Sequence, residues 1–237
     1  MRAKAAHLWV VIPAAGSGRR MGLTTRPKQY LELAGRTVME WAVAPFLRLD
    51  ACERIVVVLS PDDPCWTQLS ISRDSRITRA QGGQERSDSV AAGLNALIEV
   101  AGAEDWVLVH DAARPCLSSQ DLHHLISVLS DDPVGGLLAS PVVDTLKRAD
   151  EAGYVASTLS RQGLWRAMTP QMFKFGVLKR ALAACAQQGV SPTDEAQAVE
   201  MLGLRPKLVT GSADNLKITT ADDLAHAERI LAARGQA

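Results

Sequence analysis

Short apolar segments of strand length recur along the chain and constrain its fold more than any other feature. They are rich in Val, Leu and Ile without alternating polar residues, as in strands that are covered on both faces of a parallel sheet. Apolar residues at helical spacing fill the intervals between them. We therefore predict one α/β domain over residues 1–237, with a doubly wound, mostly parallel, Rossmann-like sheet. The predicted strands are residues 8–12, 55–59, 106–109 and 136–139.

Two helix starts carry capping signals. Thr37 followed by Glu40 forms a capping box, and Pro45 is expected to end or kink the helix that begins there. A last helix is predicted to begin near Thr220, where acidic residues suit the positive end of the helix dipole.

Residues 141–162 depart from the strand–helix alternation. Residues 142–149 and 154–160 are predicted as two strands of a hairpin, joined by a loop at 150–153 that contains Gly. An isolated two-stranded hairpin is only marginally stable in water, so we expect it to pack on something. It either projects as a β-arm that pairs with a second copy of the chain or folds back on its own domain.

Charge and cysteine usage exclude several classes of protein. The chain has 26 Lys and Arg against 26 Asp and Glu, which argues against bulk attraction to nucleic acid or an anionic membrane. It has no apolar stretch of about 18 residues, so no membrane span is predicted. The 4 cysteines are widely spaced and form no Cys-x-x-Cys pair, which favours free thiols and a cytoplasmic location.

A small-residue loop with a cluster of positive charge follows the first predicted strand. Small side chains let the backbone approach a ligand, and successive N–H groups can bind an anion. A polyphosphate site is therefore favoured over the alternative, a solvated basic turn. Between Pro13 and Leu31 the basic residues are Arg19, Arg20, Arg26 and Lys28, and none is acidic.

The spacing of the glycines separates this loop from better-known phosphate loops. Gly16-x-Gly18-x-x-x-Gly22 has one residue too many for the dinucleotide fingerprint, and Pro27 interrupts any helix after it. A hydride-transferring oxidoreductase is therefore disfavoured. The chain also lacks the P-loop pattern and the Gly-x-Ser-x-Gly elbow of serine hydrolases.

Sequence blocks in register along the chain resemble a known family. Ala14-Ala15-Gly16-x-Gly18-x-Arg20-Met21 and Pro27-Lys28-Gln29-Tyr30 resemble the signature of sugar-phosphate nucleotidyltransferases. The remaining blocks narrow the resemblance to the 2-C-methyl-D-erythritol 4-phosphate cytidylyltransferase family, over residues 8 to 225. They are Gly82-Gly83-x-x-Arg86-x-x-Ser89-Val90, Val109-His110-Asp111-Ala112-Ala113-Arg114-Pro115, Asp144-Thr145-Leu146-Lys147, Thr169-Pro170-Gln171, Thr193-Asp194-Glu195-Ala196 and Asp214-Asn215-x-Lys217.

The resemblance implies a nucleotidyltransferase that uses CTP and methylerythritol phosphate in non-mevalonate isoprenoid biosynthesis. A substrate phosphate oxygen would attack the α-phosphorus of CTP and pyrophosphate would leave. Mg²⁺ is the implied cofactor, with Asp111 as a candidate ligand, and a homodimer through the β-arm is the implied assembly. Two alternatives stay open: a cytidylyltransferase for another polyol phosphate such as ribitol 5-phosphate, and a non-catalytic nucleotide-binding protein of the same fold.

The resemblance also implies roles for individual residues. Arg20, Lys28 and Lys217 are the implied catalytic cations, whereas the neighbouring Arg19 is expected to be a surface charge. The implied nucleotide-binding residues are Ala14, Ala15, Gly16, Gly18, Gly82, Gly83 and Ser89. The implied residues for the methylerythritol phosphate are Asp111, Arg114, Thr145, Arg161, Thr169 and Thr193.

Local patterns offer simpler alternatives for some of these residues. Ser89 is also a common type of helix-start residue, and Thr193 or Asp194 could cap a following helix. Strand alternation would place Lys217 on a solvent-facing position. His110 is expected to be structural, because a phosphate nucleophile needs little deprotonation at neutral pH.

Overall fold

The computed structural model describes residues 7–16 and 27–235. In chain order its strands are β1 (Leu8–Pro13), β2 (Glu32–Leu33), β3 (Arg36–Thr37), β4 (Cys52–Leu59), β5 (Ile77–Gln81), β6 (Trp106–Val109), β7 (Gly135–Pro141), β8 (Leu146–Ala149), β9 (Val155–Leu159), β10 (Trp165–Lys174) and β11 (Lys207–Thr210). Its α-helices are α1 (Val38–Leu47), α2 (Arg86–Asn95), α3 (Ser119–Leu129), α4 (Phe175–Gln187), α5 (Glu195–Glu200) and α6 (Ala221–Ala233).

The central sheet of the described chain has 7 strands in the order β11-β7-β10-β6-β1-β4-β5. β10 runs antiparallel to both β6 and β7, and the other neighbouring pairs are parallel. The prediction of a mostly parallel α/β sheet is confirmed. The carboxyl ends of β1, β4, β5 and β6 therefore meet at one edge of the sheet.

Helices cover both faces of this sheet. Successive residues of β1 point to opposite faces: Val10 packs with residues of α1 and α3, and Val11 packs with residues of α2, α4 and α5. Both side chains are fully buried. A third cluster joins α6 to α1 through Trp41 and Leu231 and includes Ile218, which follows directly on Lys217.

Three strands of the central sheet were not predicted, and each departs from the pattern of a doubly covered strand. β5 and β11 are edge strands with partly polar, partly exposed sequences. β10 is central, but it contains Pro170, and Pro within a segment argues against a central strand. The pairing of β10 with β7 is interrupted between Ala167 and Gln171, which is where Pro170 is accommodated.

The predicted helix starts are confirmed. Of the two effects predicted for Pro45, an end or a kink of the helix, the end is not found. Thr37 Oγ1 accepts a hydrogen bond from the N–H of Glu40 at 3.2 Å, and Glu40 Oε2 accepts one from the N–H of Thr37 at 2.9 Å. Thr220 caps α6 as expected. α1 does not end at Pro45 but continues to Leu47. Pro45 lies so close to the end of the helix that its missing N–H affects only the last turn.

The predicted hairpin is present, with strands shorter than expected. β8 and β9 pair with each other in a separate two-stranded antiparallel sheet, and their outward side chains are exposed. We call residues 141–162 the β-arm. Its proposed role in dimerisation remains a prediction. Among the described residues, no helix combines the length and apolar character that are needed to cross a bilayer.

Candidate active site

A cavity of about 580 Å³ opens where the carboxyl ends of the parallel strands meet. In open α/β sheets this edge is the usual place for a ligand. The cavity is lined by residues 13–16 after β1, by residues 83–86 at the start of α2, by residues 111–113 after β6, and by Lys28 and Lys217.

The described part of the small-residue loop is held by a buried glutamine. The N–H of Ala14 donates to Val58 O at 2.8 Å, which continues the pairing of β1 with β4. Gln29 Nε2 donates to Ala14 O at 2.8 Å and to Gly16 O at 3.4 Å. Gln29 is itself buried. The backbone of residues 14–16 is therefore held by a side chain that lies 15 positions after Ala14 and 13 positions after Gly16 in the sequence.

The glycine pair after β5 allows a second segment to approach this loop. A Cβ atom on Gly82 would lie 2.5 Å from Ala15 Cβ and 2.8 Å from Ser89 Oγ, and one on Gly83 would lie 2.4 Å from Asp88 Cβ. Only glycine permits so close an approach. Ser89 is buried one turn inside α2, which starts after Glu85, so Ser89 does not cap the helix.

Asp111 accepts charge-assisted hydrogen bonds from three cations. Its Oδ1 accepts from Arg86 Nε at 3.0 Å, and its Oδ2 lies 2.9 Å from Lys217 Nζ and 3.4 Å from Arg114 Nε. Burial by itself would raise the pKa of the Asp111 carboxyl. The charges of Arg86, Lys217 and Arg114 outweigh this and hold the pKa well below its usual range. Asp111 is thus a permanent anion among cations at the floor of the cavity.

Arg86 joins Asp111 to a second buried carboxylate. Its Nη1 lies 2.6 Å from Glu195 Oε1, and its Nη2 donates to Glu195 Oε2 at 3.2 Å. Glu195 is only 1% exposed. Burial raises the pKa of Glu195 while the charge of Arg86 acts in the opposite direction. Neither Arg86 nor Glu195 was predicted as a site residue, although both lie within the sequence blocks that carry the family resemblance.

His110 lies beneath Asp111 and is fully buried. Its Nε2 lies 3.1 Å from Arg114 O, and its Nδ1 lies 3.0 Å from Thr169 Oγ1. Because a carbonyl oxygen only accepts, Nε2 carries the proton and Nδ1 accepts from the Thr169 hydroxyl. Burial lowers the pKa of His110 to about 4. Thr169 Oγ1 also accepts from the N–H of Asp111 at 3.0 Å. His110 therefore has the structural role that was expected.

Lys28 and Lys217 reach the cavity from opposite ends of the chain. Lys28 Nζ donates to Ile218 O at 2.7 Å, which ties the segment after the small-residue loop to the one before α6. Lys217 lies in an irregular segment and turns towards Asp111, so the alternative of a solvent-facing strand position is wrong. Its side chain is still 39% exposed and faces the cavity.

The chain is similar to a known family of enzymes over nearly its whole length. The model of the 2-C-methyl-D-erythritol 4-phosphate cytidylyltransferase family matches residues 8–233. The chain belongs to this family. It is 55% identical over 218 residues to the 2-C-methyl-D-erythritol 4-phosphate cytidylyltransferase of Ectopseudomonas mendocina, and the match covers 92% of each chain.

Solved structures of the cytidylyltransferase family share the fold. A crystal structure of 4-diphosphocytidyl-2C-methyl-D-erythritol synthase superposes with a TM-score of 0.83 at 41% identity, covering 95% of this chain and 99% of that one. The Francisella tularensis 2-C-methyl-D-erythritol 4-phosphate cytidylyltransferase also gives 0.83, at 34% identity, with 95% and 100% covered. The match therefore extends over the whole sheet and its helices.

Some residues that the family resemblance singled out lie away from the cavity lining. Thr145 and Arg161 are exposed on the β-arm, where Arg161 Nη1 donates to Val143 O. Thr193 is exposed ahead of α5, and its Oγ1 donates to Gln197 Oε1 at 3.0 Å. Asp194 is the residue that caps α5. Gly18, Arg19 and Arg20 lie outside the described residues.

The described residues of this cytidylyltransferase site offer few ligands for a metal ion, so phosphates of the substrates would have to supply most of them. Among the described residues, no cluster of three or more His, Cys, Asp or Glu side chains could hold a metal by itself. Asp111 lines the cavity, but its oxygens already accept from Arg86 and Lys217. Mg²⁺ is commonly held by one or two carboxylates together with phosphates and water. To act as the single protein ligand of such a site, Asp111 would have to exchange one of its cationic partners for the metal.

Proposed function

We propose that the chain transfers the cytidylyl group of CTP to 2-C-methyl-D-erythritol 4-phosphate. The products are 4-diphosphocytidyl-2-C-methyl-D-erythritol and pyrophosphate, in the non-mevalonate route to isoprenoid precursors. Membership of the family supports this activity. The observation that carries it is the group of cations around Asp111, at the floor of a cavity that residues 13–16 help to line.

The reaction needs alignment and charge neutralisation rather than a protein nucleophile. A phosphate oxygen of the acceptor forms a bond to the α-phosphorus while the bond from that phosphorus to the pyrophosphate oxygen breaks. Negative charge builds up on the other oxygens of the α-phosphate. Fixed cations that face these oxygens lower the barrier. Lys28, Lys217 and Arg20 are the cations proposed for this work.

The nucleotide is proposed to bind between the small-residue loop and the glycine pair. Backbone groups of Ala14, Ala15, Gly16 and Gly18 would face the phosphates and the base together with Gly82, Gly83 and the Ser89 hydroxyl. The close packing of Gly82 against Ala15 and Ser89 supports this assignment. Backbone donors and acceptors held in place can accept cytosine and reject uracil, because a wrong base leaves them unpaired.

The acceptor is proposed to bind on the other side of Asp111. Arg114 would take its phosphate and Thr193 would contribute a hydroxyl group. The Thr169 hydroxyl, which is engaged by His110 and by the N–H of Asp111, would act by holding Asp111 in place. Mg²⁺, held by the triphosphate and Asp111, would neutralise charge on the leaving pyrophosphate.

The free cysteines, 3 of which are buried, support a reducing and thus cytoplasmic location.

Thr145 and Arg161 are proposed to complete the site of a second copy of the chain. The β-arm exposes large apolar side chains, with Val143 68%, Tyr154 74% and Val155 64% exposed. Exposed apolar surface of this kind is typical of protein interfaces. A homodimer in which each β-arm reaches its partner would cover these side chains and bring Thr145 and Arg161 to the partner's acceptor.

The test is pyrophosphate release with Mg²⁺, comparing CTP with UTP and methylerythritol phosphate with ribitol 5-phosphate. Fast release with CTP and methylerythritol phosphate alone is expected. Turnover with ribitol 5-phosphate would keep the mechanism and replace the acceptor. No release in any combination would contradict the enzymatic function and favour a nucleotide-binding protein.

A further inference from the structure

The ion pair between Arg86 and Glu195 has no part in the mechanism described so far. The two residues are separated by 109 positions in the sequence, yet both nitrogens at the end of Arg86 face both oxygens of Glu195. The pair is also well covered, since the Arg86 side chain is 26% exposed and that of Glu195 is 1% exposed. A buried charge that is so closely paired calls for an explanation.

Stability alone does not account for the pair. A buried ion pair contributes little net stability, because the cost of removing both charges from water offsets their attraction. Arg86 is also the first residue of α2, where the helix dipole disfavours a cation. Glu195 is the first residue of α5, where a carboxylate is favoured. The position of Arg86 therefore has to be explained by what it contacts.

The geometry makes Arg86 a link between two carboxylates. Its Nη1 and Nη2 are directed at Glu195, and its Nε donates to Asp111 Oδ1 at 3.0 Å. With Oδ1 held in this way, Asp111 directs Oδ2 towards Lys217 at 2.9 Å. Each of the three nitrogens of Arg86 is thus directed at a carboxylate, although the residue lines the cavity.

Glu195 is itself anchored to the central sheet. Gln171, on β10, accepts from the N–H of Ala196 at 2.8 Å and donates to Asp194 Oδ2 at 2.9 Å. Gln171 is 1% exposed. The first turn of α5 is therefore fixed relative to β10, and the carboxylate of Glu195 is fixed with it.

We propose that Glu195 is a positioning residue, which holds Arg86 on Asp111 and through Asp111 orients the Lys217 ammonium group. A second consequence is that Glu195 keeps the Arg86 guanidinium away from the triphosphate, which it would otherwise bind in an unproductive way. The inference rests on the proposed function, because it assumes that Lys217 acts on the reacting phosphates.

Glu195→Gln tests this role, because it retains the shape of the side chain and removes its charge. The freed Arg86 adds positive charge to the cavity, so CTP is expected to bind more tightly. Lys217 loses its orientation, so kcat is expected to fall about 10- to 100-fold. CTP titration calorimetry and the rate of pyrophosphate release at saturating substrates measure the two effects. Glu200→Gln, an exposed change in the same helix, is the matched control and should leave both values unchanged.

In Glu195→Gln, CTP affinity is expected to rise while kcat falls. A structure that was merely loosened would lose both. Weaker CTP binding together with a lower kcat would overturn the proposal, and so would an unchanged kcat in an active enzyme. In the double variant Glu195→Gln/Arg86→Gln the extra charge is absent, so CTP affinity should return towards wild type while kcat stays low. An inactive wild-type protein would instead overturn the proposed function.

A second single variant covers the case in which Glu195→Gln does not fold. Arg86→Gln leaves Glu195 buried without its cation, and Glu195 can take up a proton there instead of remaining charged. This variant is expected to fold, which circular dichroism checks, and to lose kcat to a similar degree. An Arg86→Gln protein with wild-type kcat would overturn the proposal.

Discussion

The cavity and the β-arm carry the same kinds of polar side chain in opposite surroundings. At the cavity, Asp111 is buried and its cationic partners come from the same chain. On the β-arm, Thr145 and Arg161 are exposed, next to apolar side chains that are exposed as well. In the first region the charges around Asp111 are paired within one chain, whereas the second presents surface that a partner would cover.

The difference has a physical origin. Burying a charge is costly unless it is paired, and the fold supplies those partners at the cavity floor. A hairpin of two strands has no core of its own and gains stability only against another surface. The predictions below test whether the cavity is self-contained and whether the β-arm depends on a second copy of the chain.

Asp111→Asn is expected to have the largest effect. Three neighbouring cations would lose their shared anion, so turnover should fall by more than about 10³-fold and the free energy of unfolding by about 3–5 kcal/mol. Pyrophosphate release and chemical denaturation measure these losses. Glu151→Gln, an exposed change on the β-arm, should alter the free energy of unfolding by less than about 0.5 kcal/mol. Equal losses for both variants would contradict the distinction between the two regions.

Mixing two inactive variants tests the β-arm. Lys217→Ala and Arg161→Ala are each expected to lose about 10²- to 10³-fold in kcat while remaining folded. If Arg161 acts on the partner's site, a mixed dimer has one site with an intact Lys217 from one chain and an intact Arg161 from the other, so mixing restores activity.

The outcome of mixing separates action within one chain from action across a dimer. If Arg161 serves its own chain, every site in a mixed dimer lacks one of the two residues and the mixture stays inactive. Lys207→Ala, an exposed change on β11, is the control and should keep full activity before and after mixing. Sedimentation at micromolar concentration should show a dimer for each of the three variants.

A further effect, on stability alone, is expected from pH through His110. Its pKa falls from 6.5 in the unfolded chain to about 4 in the folded protein, because burial disfavours the charged ring. Between these values the unfolded chain binds a proton that the folded protein does not, so stability is full above pH 6.5 and decreases as the pH falls. The loss is about 3 kcal/mol by pH 4.

His110→Gln should remove this part of the pH dependence, because glutamine does not titrate. Denaturation curves at several pH values between 4 and 7 measure the slope. Gln188→Ala, an exposed change at the end of α4 that involves no titratable group, should keep the wild-type slope. A wild-type slope in His110→Gln would show that the loss of stability in acid comes from other groups.

The elements that were predicted from sequence are those with one dominant local signal. β6 and the start of α1 follow from a continuous apolar segment and a capping box, which act over a few residues. β10 was not predicted, because its Pro170 is tolerated only where the pairing with β7 is interrupted. That interruption depends on a neighbouring strand, and no local pattern reports it.

The candidate site also has a part that was predicted from the sequence and a part that was not. The family resemblance pointed to Lys28, Asp111 and Lys217, and the fold brings all three to one cavity. The pairing of Arg86 with Glu195 was not predicted. Each is an ordinary charged residue near a helix start, and only the tertiary structure, in which α4 packs against both α2 and α5, makes them partners.

The sequence by itself determined the alternation of strands and helices, the small-residue loop and the residue types of a phosphate-handling site. Those features depend on the types and spacing of residues that lie close together in the sequence. The tertiary structure decided which charges meet, which are buried and which stay exposed on the β-arm. It could decide this because the free energy of a charge depends on its distance from other charges and on its access to water, and folding sets both.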